Sequence, residues 1–285
     1  MTEKMKGFFI RSLSGLIYIL LIAGALLAKN AIFFYILFSL IASIAVFEFN
    51  GMSKVARTHP MRIILDCGTI IWIILMGFFT ATNSSFGLTI WVPLIFYILF
   101  ILTRSIVADE NHELERINNS FFPIAYIGIP FFLASLVSYK NGTSSSYDGI
   151  PVLSVFLIVW ANDTGAYIIG SLMGKHKLLP RLSPKKSIEG FVGGILFAMG
   201  VSSLLPLLFP SNFGIYYLWE LLIYGFLVGT FATLGDLFES MLKRRAGVKD
   251  SSKLIPGHGG ILDRIDSFLF TMPVAFMLML IVSFR

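Results

Sequence analysis

Five carboxylates stand in or beside apolar stretches, and their spacing limits what they could do. Asp163 lies in Trp160-Ala-Asn-Asp-Thr-Gly-Ala-Tyr167, and Asp236 and Glu239 lie in Gly235-Asp-Leu-Phe-Glu-Ser240. Asp263 and Asp266 are three residues apart and share one face of a helix that contains both. An ionisable residue within a membrane helix is expensive unless it is paired, hydrated or bound to a metal. Carboxylates gathered in one pocket would repel each other without a cation. Oxygen-only ligands suit a hard ion such as Mg²⁺, which keeps some waters and leaves room for phosphate oxygens. Zinc is a poor match, because the four histidines have no zinc-motif spacing and the single cysteine, Cys67, sits in an apolar run. Pairing with nearby bases is the structural alternative. Glu239 and Lys243 have the i,i+4 spacing of a helical ion pair, and Asp250 and Asp266 could likewise be structural.

Two basic segments accompany these acids. The first reads Gly174-Lys-His-Lys-Leu-Leu-Pro-Arg-Leu-Ser-Pro-Lys-Lys-Ser-Ile-Glu-Gly190, with Ser183, Lys185 and Lys186 near its end. Ser187 could cap the helix that follows, whose first-turn amides would then suit an anion. The second holds Lys243, Arg244, Lys249 and Asp250, then Pro256-Gly-His-Gly-Gly260, and Arg264. Glycines such as Gly259 and Gly260 permit close backbone approach to a ligand, while lysine and arginine neutralise phosphate. Both loops could merely touch lipid headgroups, but that leaves the alternation of acid, base and glycine unexplained. His258 is either an acid or base or a turn-stabilising residue. Gly190 and Gly194 have the GxxxG spacing of closely packed helices.

These residues need elements to position them, and composition names the kind. Apolar residues make up 56% of the chain and charged residues 13%, about half the charge of a soluble domain. Apolar windows near 8–28, 31–50, 63–81, 87–103, 118–138, 151–171, 189–209, 215–237 and 263–284 predict an all-α, polytopic membrane bundle of about nine spans. There is no dyad alternation of a β-barrel. Met1 to Lys29 has signal-peptide features but is read as a retained first span. With the N-terminus in the cytoplasm, every lysine and arginine except Lys29, Lys140 and Arg285 falls on the inner side. The charge of +6 therefore reports topology rather than a nucleic-acid partner. Residues 1–150 read as a transmembrane scaffold. Residues 151–285 read as a catalytic region with its polar site on the cytoplasmic side. No internal repeat is evident, which argues against a transporter of inverted halves.

The run Ser240-Met-Leu-Lys-Arg-Arg-Ala-Gly-Val-Lys-Asp-Ser-Ser-Lys-Leu-Ile-Pro-Gly-His-Gly-Gly-Ile-Leu-Asp-Arg-Ile-Asp266 closely resembles the C-terminal signature of phosphatidate cytidylyltransferases, the CDP-diacylglycerol synthases. Asn162 to Tyr167 and Ser183 to Gly190 resemble that family's upstream elements, with Ser187 where threonine is more usual. The resemblance covers about 160–266. It implies transfer of a cytidylyl group from CTP to phosphatidate by a Mg²⁺-dependent homodimer of the cell inner (cytoplasmic) membrane. Its polar cavity would open to the cytoplasm. It further implies metal ligation by Asp236 and Asp263, with K⁺ as a possible second ion. It places Lys243, Arg244, Lys249, Asp250, His258, Arg264 and Asp266 in the site.

The expected reaction is in-line attack of a phosphatidate oxygen on the α-phosphorus of CTP. It needs positioning and charge stabilisation more than a strong base. Asp163 would assist the metal or orient a base, and Lys185, Lys186, Lys243 and Arg244 would engage phosphates. CTP would enter from the cytoplasm and the lipid from the inner leaflet. A polyprenol kinase or an ether-lipid cytidylyltransferase is the nearest alternative, and a cation or phosphate transporter is a more distant one.

Overall fold

The computed structural model describes residues 3–52, 60–82, 87–107, 120–139, 146–257 and 259–283. It falls into two units: Met1–Asp148 with Asp250–Arg264, and Gly149–Lys249 with Ile265–Arg285.

In the first unit, α1 (Glu3–Leu27) packs on α2 (Ala31–Met52), and α3 (Pro60–Ala81) packs on α2, on α4 (Val92–Val107) and on α5 (Ile129–Val137). Asn30 accepts the amide hydrogen of Ile32 at 2.9 Å, satisfying one of the free donors at the start of α2. A 3-10 turn, Gly87–Trp91, leads into α4 and is tied to α3 by the Trp72 indole, which donates to the Ile90 carbonyl at 2.9 Å. Wide π turns at Ile124–Gly128 precede α5. Gly77 lets α3 approach α5, since a β-carbon there would lie 2.7 Å from the Phe132 carbonyl oxygen. Asp66, buried on α3, accepts hydrogen bonds from Asn50 at 3.0 Å and from the Tyr97 hydroxyl, which links α2, α3 and α4.

In the second unit, α6 (Ile150–Met173) leads through strands β1 (Lys177–Leu179) and β2 (Ser183–Ser187) to α7 (Ile188–Leu208). A single helical turn, Pro210–Phe213, precedes α8 (Leu218–Ala246). Helix α9 (Leu262–Ser283) begins in the last residues of the first unit and continues in the second. Helix α7 packs on both α6 and α8. Where lipid replaces water, helices associate through close packing and hydrogen bonds rather than apolar burial, so small residues line the contacts. A β-carbon on Gly190 would lie 2.9 Å from the Ala166 carbonyl oxygen, and one on Gly194 would lie 2.8 Å from that of Asn162. A β-carbon on Gly225 would lie 2.6 Å from the Met199 Cα, so α8 and α7 approach as closely there. Ser202 donates to the Leu221 carbonyl at 2.6 Å, and Phe156 stacks on Phe268 with ring centres 4.7 Å apart.

Among the described residues, seven helices are long and apolar enough to cross a membrane. Two shorter apolar helical stretches, Ser12–Leu27 and Thr89–Thr103, coincide with the first and fourth expected spans. The chain is a multi-pass helical membrane protein. Two local expectations are corrected. The basic segment after α6 is a β-hairpin rather than an open loop, with Lys177 opposite Ser187 and Leu179 opposite Ser183. Helix α8 does not end near residue 237 but runs to Ala246, so Asp236 and Glu239 lie inside it and Lys243 to Arg245 form its last turn. Basic residues suit that end of a helix, where the macrodipole is negative.

Candidate active site

Helix α8 carries Asp236, Glu239 and Lys243 at intervals of three and four residues, on one face. Gly235 brings that face against α9, because a β-carbon there would lie 2.6 Å from the Asp266 carbonyl oxygen. Ser267 fastens the contact by donating to the Ala232 carbonyl at 3.1 Å. As a result, Asp236, Glu239 and Asp266 each present one carboxylate oxygen within 4.8 Å of the others. Glu239 is fully buried and Asp266 nearly so. Two lysines compensate. The Lys186 ammonium lies 2.5 Å from Asp236 Oδ2, and Lys243 pairs with Glu239. Asp163, exposed on α6, is near enough for its charge to act on Asp266, as are those of Asp236 and Lys243. Three carboxyl groups beside two ammonium groups make a centre rich in oxygen donors, the chemistry that suits a hard divalent cation.

Lys186 reaches Asp236 because the hairpin holds it there. Ser187 closes β2 and caps α7, accepting the Gly190 amide hydrogen at 3.1 Å. Glu189, in the first turn, accepts the amide hydrogens of Lys175 and His176 at 3.1 and 3.2 Å and meets the His176 ring at 2.7 Å. The N-terminus of α7 thus fixes its own preceding segment. Ser183 is half-buried on β2 and Lys185 is exposed. Past α8, Gly247 adopts a left-handed φ of 73° and its amide hydrogen is accepted at Arg244 and Lys243, a glycine C-cap. Arg244 and Lys249 are exposed there.

In the first unit, the segment before α9 folds around two carboxylates. Asp263 Oδ2 accepts the amide hydrogens of Ser251 and Gly260 at 3.0 and 2.8 Å, and lies 2.9 Å from the Ser251 hydroxyl. The amide of Ile255 donates to the Gly259 carbonyl at 2.8 Å, closing a tight turn. Gly257 and Gly259 have φ of 77° and 79°, values that favour glycine. His258 lies outside the described residues. Asp250 and Arg264 are exposed, and the Arg264 carbonyl accepts the Tyr18 hydroxyl at 3.1 Å. The second carboxylate is Glu48 of α2, which accepts hydrogen bonds from Ser251, Ser252, Ile261 and Leu262. Gly260 fits only as glycine, since a β-carbon would overlap the Ser251 hydroxyl and the Glu48 carboxylate.

Of the expected site residues, the second unit brings together Asp236, Asp266 and Lys186, with Lys243 joined through Glu239 and Asp163 close by. The first unit joins Asp263 to Gly260 and places Gly259 in the adjoining turn. Sequence reasoning left out Glu48, and it left Glu239, one of the five carboxylates, open between pairing with Lys243 and a place in the site. Glu48 had a signal: it is the single charged residue of α2.

The sequence profile of the cytidylyltransferase family matches residues 9–282. The chain is 36% identical to a protein of Staphylococcus saprophyticus named phosphatidate cytidylyltransferase, over 93% of this chain and 96% of the relative. Relatives with the same name from Bacillus subtilis and Staphylococcus aureus strain COL are each 34% identical, covering 88% and 93% of this chain and 90% and 96% of their own lengths. The chain belongs to the cytidylyltransferase family and is a nucleotidyltransferase.

Proposed function

We propose that the chain transfers the cytidylyl group of CTP to phosphatidate, forming CDP-diacylglycerol and pyrophosphate. The observation that carries this reading is the kinship with relatives of that name over most of the chain, a span within which the carboxylate–lysine cluster falls. A phosphatidate oxygen attacks the α-phosphorus. A new P–O bond forms, the bond to the bridging β-phosphate oxygen breaks, and pyrophosphate leaves with the electron pair. The attacking phosphate is already ionised at neutral pH, so the protein's contribution is to bring two anions together and hold them in line.

Lys186 and Lys243 supply positive charge beside the carboxylates, where it counters phosphate charge. Lys185, Arg244, Lys249 and Arg264 are exposed basic groups that suit phosphate oxygens, with the Ser183 hydroxyl and the Gly259–Gly260 backbone as further contacts. Asp163 assists the metal or orients a basic partner, and Asp250 and Asp266 belong to the site. We assign Mg²⁺ to Asp236 and Asp263, with K⁺ as a possible second ion. Glu239 and Asp266, which offer oxygen donors beside Asp236, support a hard cation at Asp236, and the part given to Asp263 rests on the family resemblance. A divalent cation bound there neutralises charge on the phosphates and on the leaving group. The reading extends to nine spans with a cytoplasmic N-terminus, a homodimer in the cell inner membrane, and CTP and lipid both taken from the cytoplasmic side. Residues 1–150 serve as scaffold and 151–285 as the catalytic region.

The test supplies purified protein with CTP and labelled phosphatidate, with and without chelator. Metal-dependent CDP-diacylglycerol formation supports the reading. Phosphate transfer to a polyprenol with no CDP-lipid would make the chain a kinase, and ion flux without nucleotide chemistry would make it a transporter.

A further inference from the structure

Glu48 lies near the end of α2 and is 3% exposed, in a helix with no other charge. A carboxylate buried there is costly unless hydrogen bonds replace its hydration. Glu48 recovers them from the Ser251–Leu262 segment. Oε1 accepts the Ser252 hydroxyl at 2.6 Å and the Ile261 amide at 3.0 Å. Oε2 accepts the Leu262 amide at 2.8 Å and lies 2.9 Å from the Ser251 hydroxyl. The Ile261 and Leu262 amides open α9, where free donors and the positive end of the helix dipole favour an anion. Glu48 therefore caps α9 from a position 214 residues earlier in the chain. The Ser251 hydroxyl has one proton and stands between Glu48 and Asp263, so the two carboxylates are held about one side chain.

We propose that Glu48 is a positioning residue for the nucleotidyl transfer. It fixes the turn that presents Gly259, Gly260 and Asp263, and so sets the direction in which the Asp263 carboxylate points. The role rests on the proposed assignment of Asp263 to the metal. It gives the N-terminal half a part in the chemistry beyond that of a scaffold.

Glu48→Gln keeps the shape and removes the charge and one acceptor. Hydrogen–deuterium exchange on the full chain in lipid nanodiscs, without nucleotide or metal, should show faster exchange across 251–262 in E48Q and no change across 150–173. In turnover assays the Mg²⁺ concentration for half-maximal rate should rise about tenfold, the scale on which supporting residues tune metal sites. A merely structural defect lowers the amount of active protein without moving that midpoint. If E48Q does not insert stably, Ser252→Ala removes one hydrogen bond to Oε1 and should shift both readouts the same way, by less. Unchanged exchange, or faster exchange with an unchanged midpoint, would overturn the role of Glu48. Absence of Mg²⁺-dependent turnover in the unaltered chain would instead overturn the functional reading.

Discussion

Lys186 sits on Asp236, its ammonium 2.5 Å from Oδ2, although the two residues belong to a hairpin strand and a long helix. The pair puts a base and an acid of the site in direct contact. The Lys186 side chain is 27% exposed and that of Asp236 37%, so water screens the bond between them.

Lys186→Ala should therefore separate stability from activity. A partly exposed ion pair contributes at most ~1 kcal/mol, so the melting temperature in detergent should barely move. The rate of CDP-lipid formation should fall by roughly a hundredfold to a thousandfold, as expected when one charge-stabilising donor is lost. A large drop in melting temperature would assign Lys186 to the fold instead.

Lys243 and Glu239 should behave in the opposite way. Glu239 is completely buried, so Lys243→Met strands a carboxylate and should cost about 3–5 kcal/mol of stability. Adding Glu239→Gln removes the stranded charge and should restore most of the stability. Thermal unfolding of both single variants and the double variant measures the coupling. Activity should stay low in the double variant if Lys243 also serves phosphate.

Gly235→Val tests the approach of α8 to α9. A β-carbon would press on the Asp266 carbonyl and on Ser267, with 3.0 Å to its Cα. Overpacking of this kind costs about 1–3 kcal/mol. It should also part Asp236 from Asp266 and raise the Mg²⁺ requirement, read as a titration of turnover against free Mg²⁺. Gly68, whose β-carbon would meet nothing within 4 Å, is the control for an added methyl group.

Asp236→Ala and Asp263→Ala should each reduce turnover by about a hundredfold or more, the scale of losing metal-supplied charge stabilisation. Chelator should do the same to the unaltered chain, with recovery on adding Mg²⁺. Near-normal turnover in Asp263→Ala would remove it from the ligand set and leave Glu239 and Asp266 as the partners of Asp236.

Apolar windows located most helices to within a few residues, because hydrocarbon thickness fixes their length and composition alike. The expected span 189–209 is Ile188–Leu208, and 263–284 is Leu262–Ser283. The window method failed at α8, where the charges after Phe238 ended the apolar run but not the helix. It also missed the hairpin, since Lys177 to Ser187 shows no alternation, and the contacts that fix its ends, from Glu189 to Lys175 and His176 and from Ser187 to Gly190, come from the start of α7. The cluster around Asp236 was legible as costly charge in apolar surroundings. Glu48 obeyed the same rule but stood alone in its span, and nothing near it in the chain hinted at partners more than two hundred residues away.

The length of α8 has a consequence for how reactants of opposite solubility meet. At 1.5 Å per residue its 29 residues reach about 44 Å, well beyond a hydrocarbon layer of about 30 Å. Counting from Leu218, Asp236 stands about 27 Å along the axis and Lys243 about 38 Å. One helix is thus too long to lie wholly in oil, and its charged residues from Asp236 to Arg245 are gathered toward one end. A water-soluble nucleotide need not enter the oil, and a lipid need not lift its tails out of it.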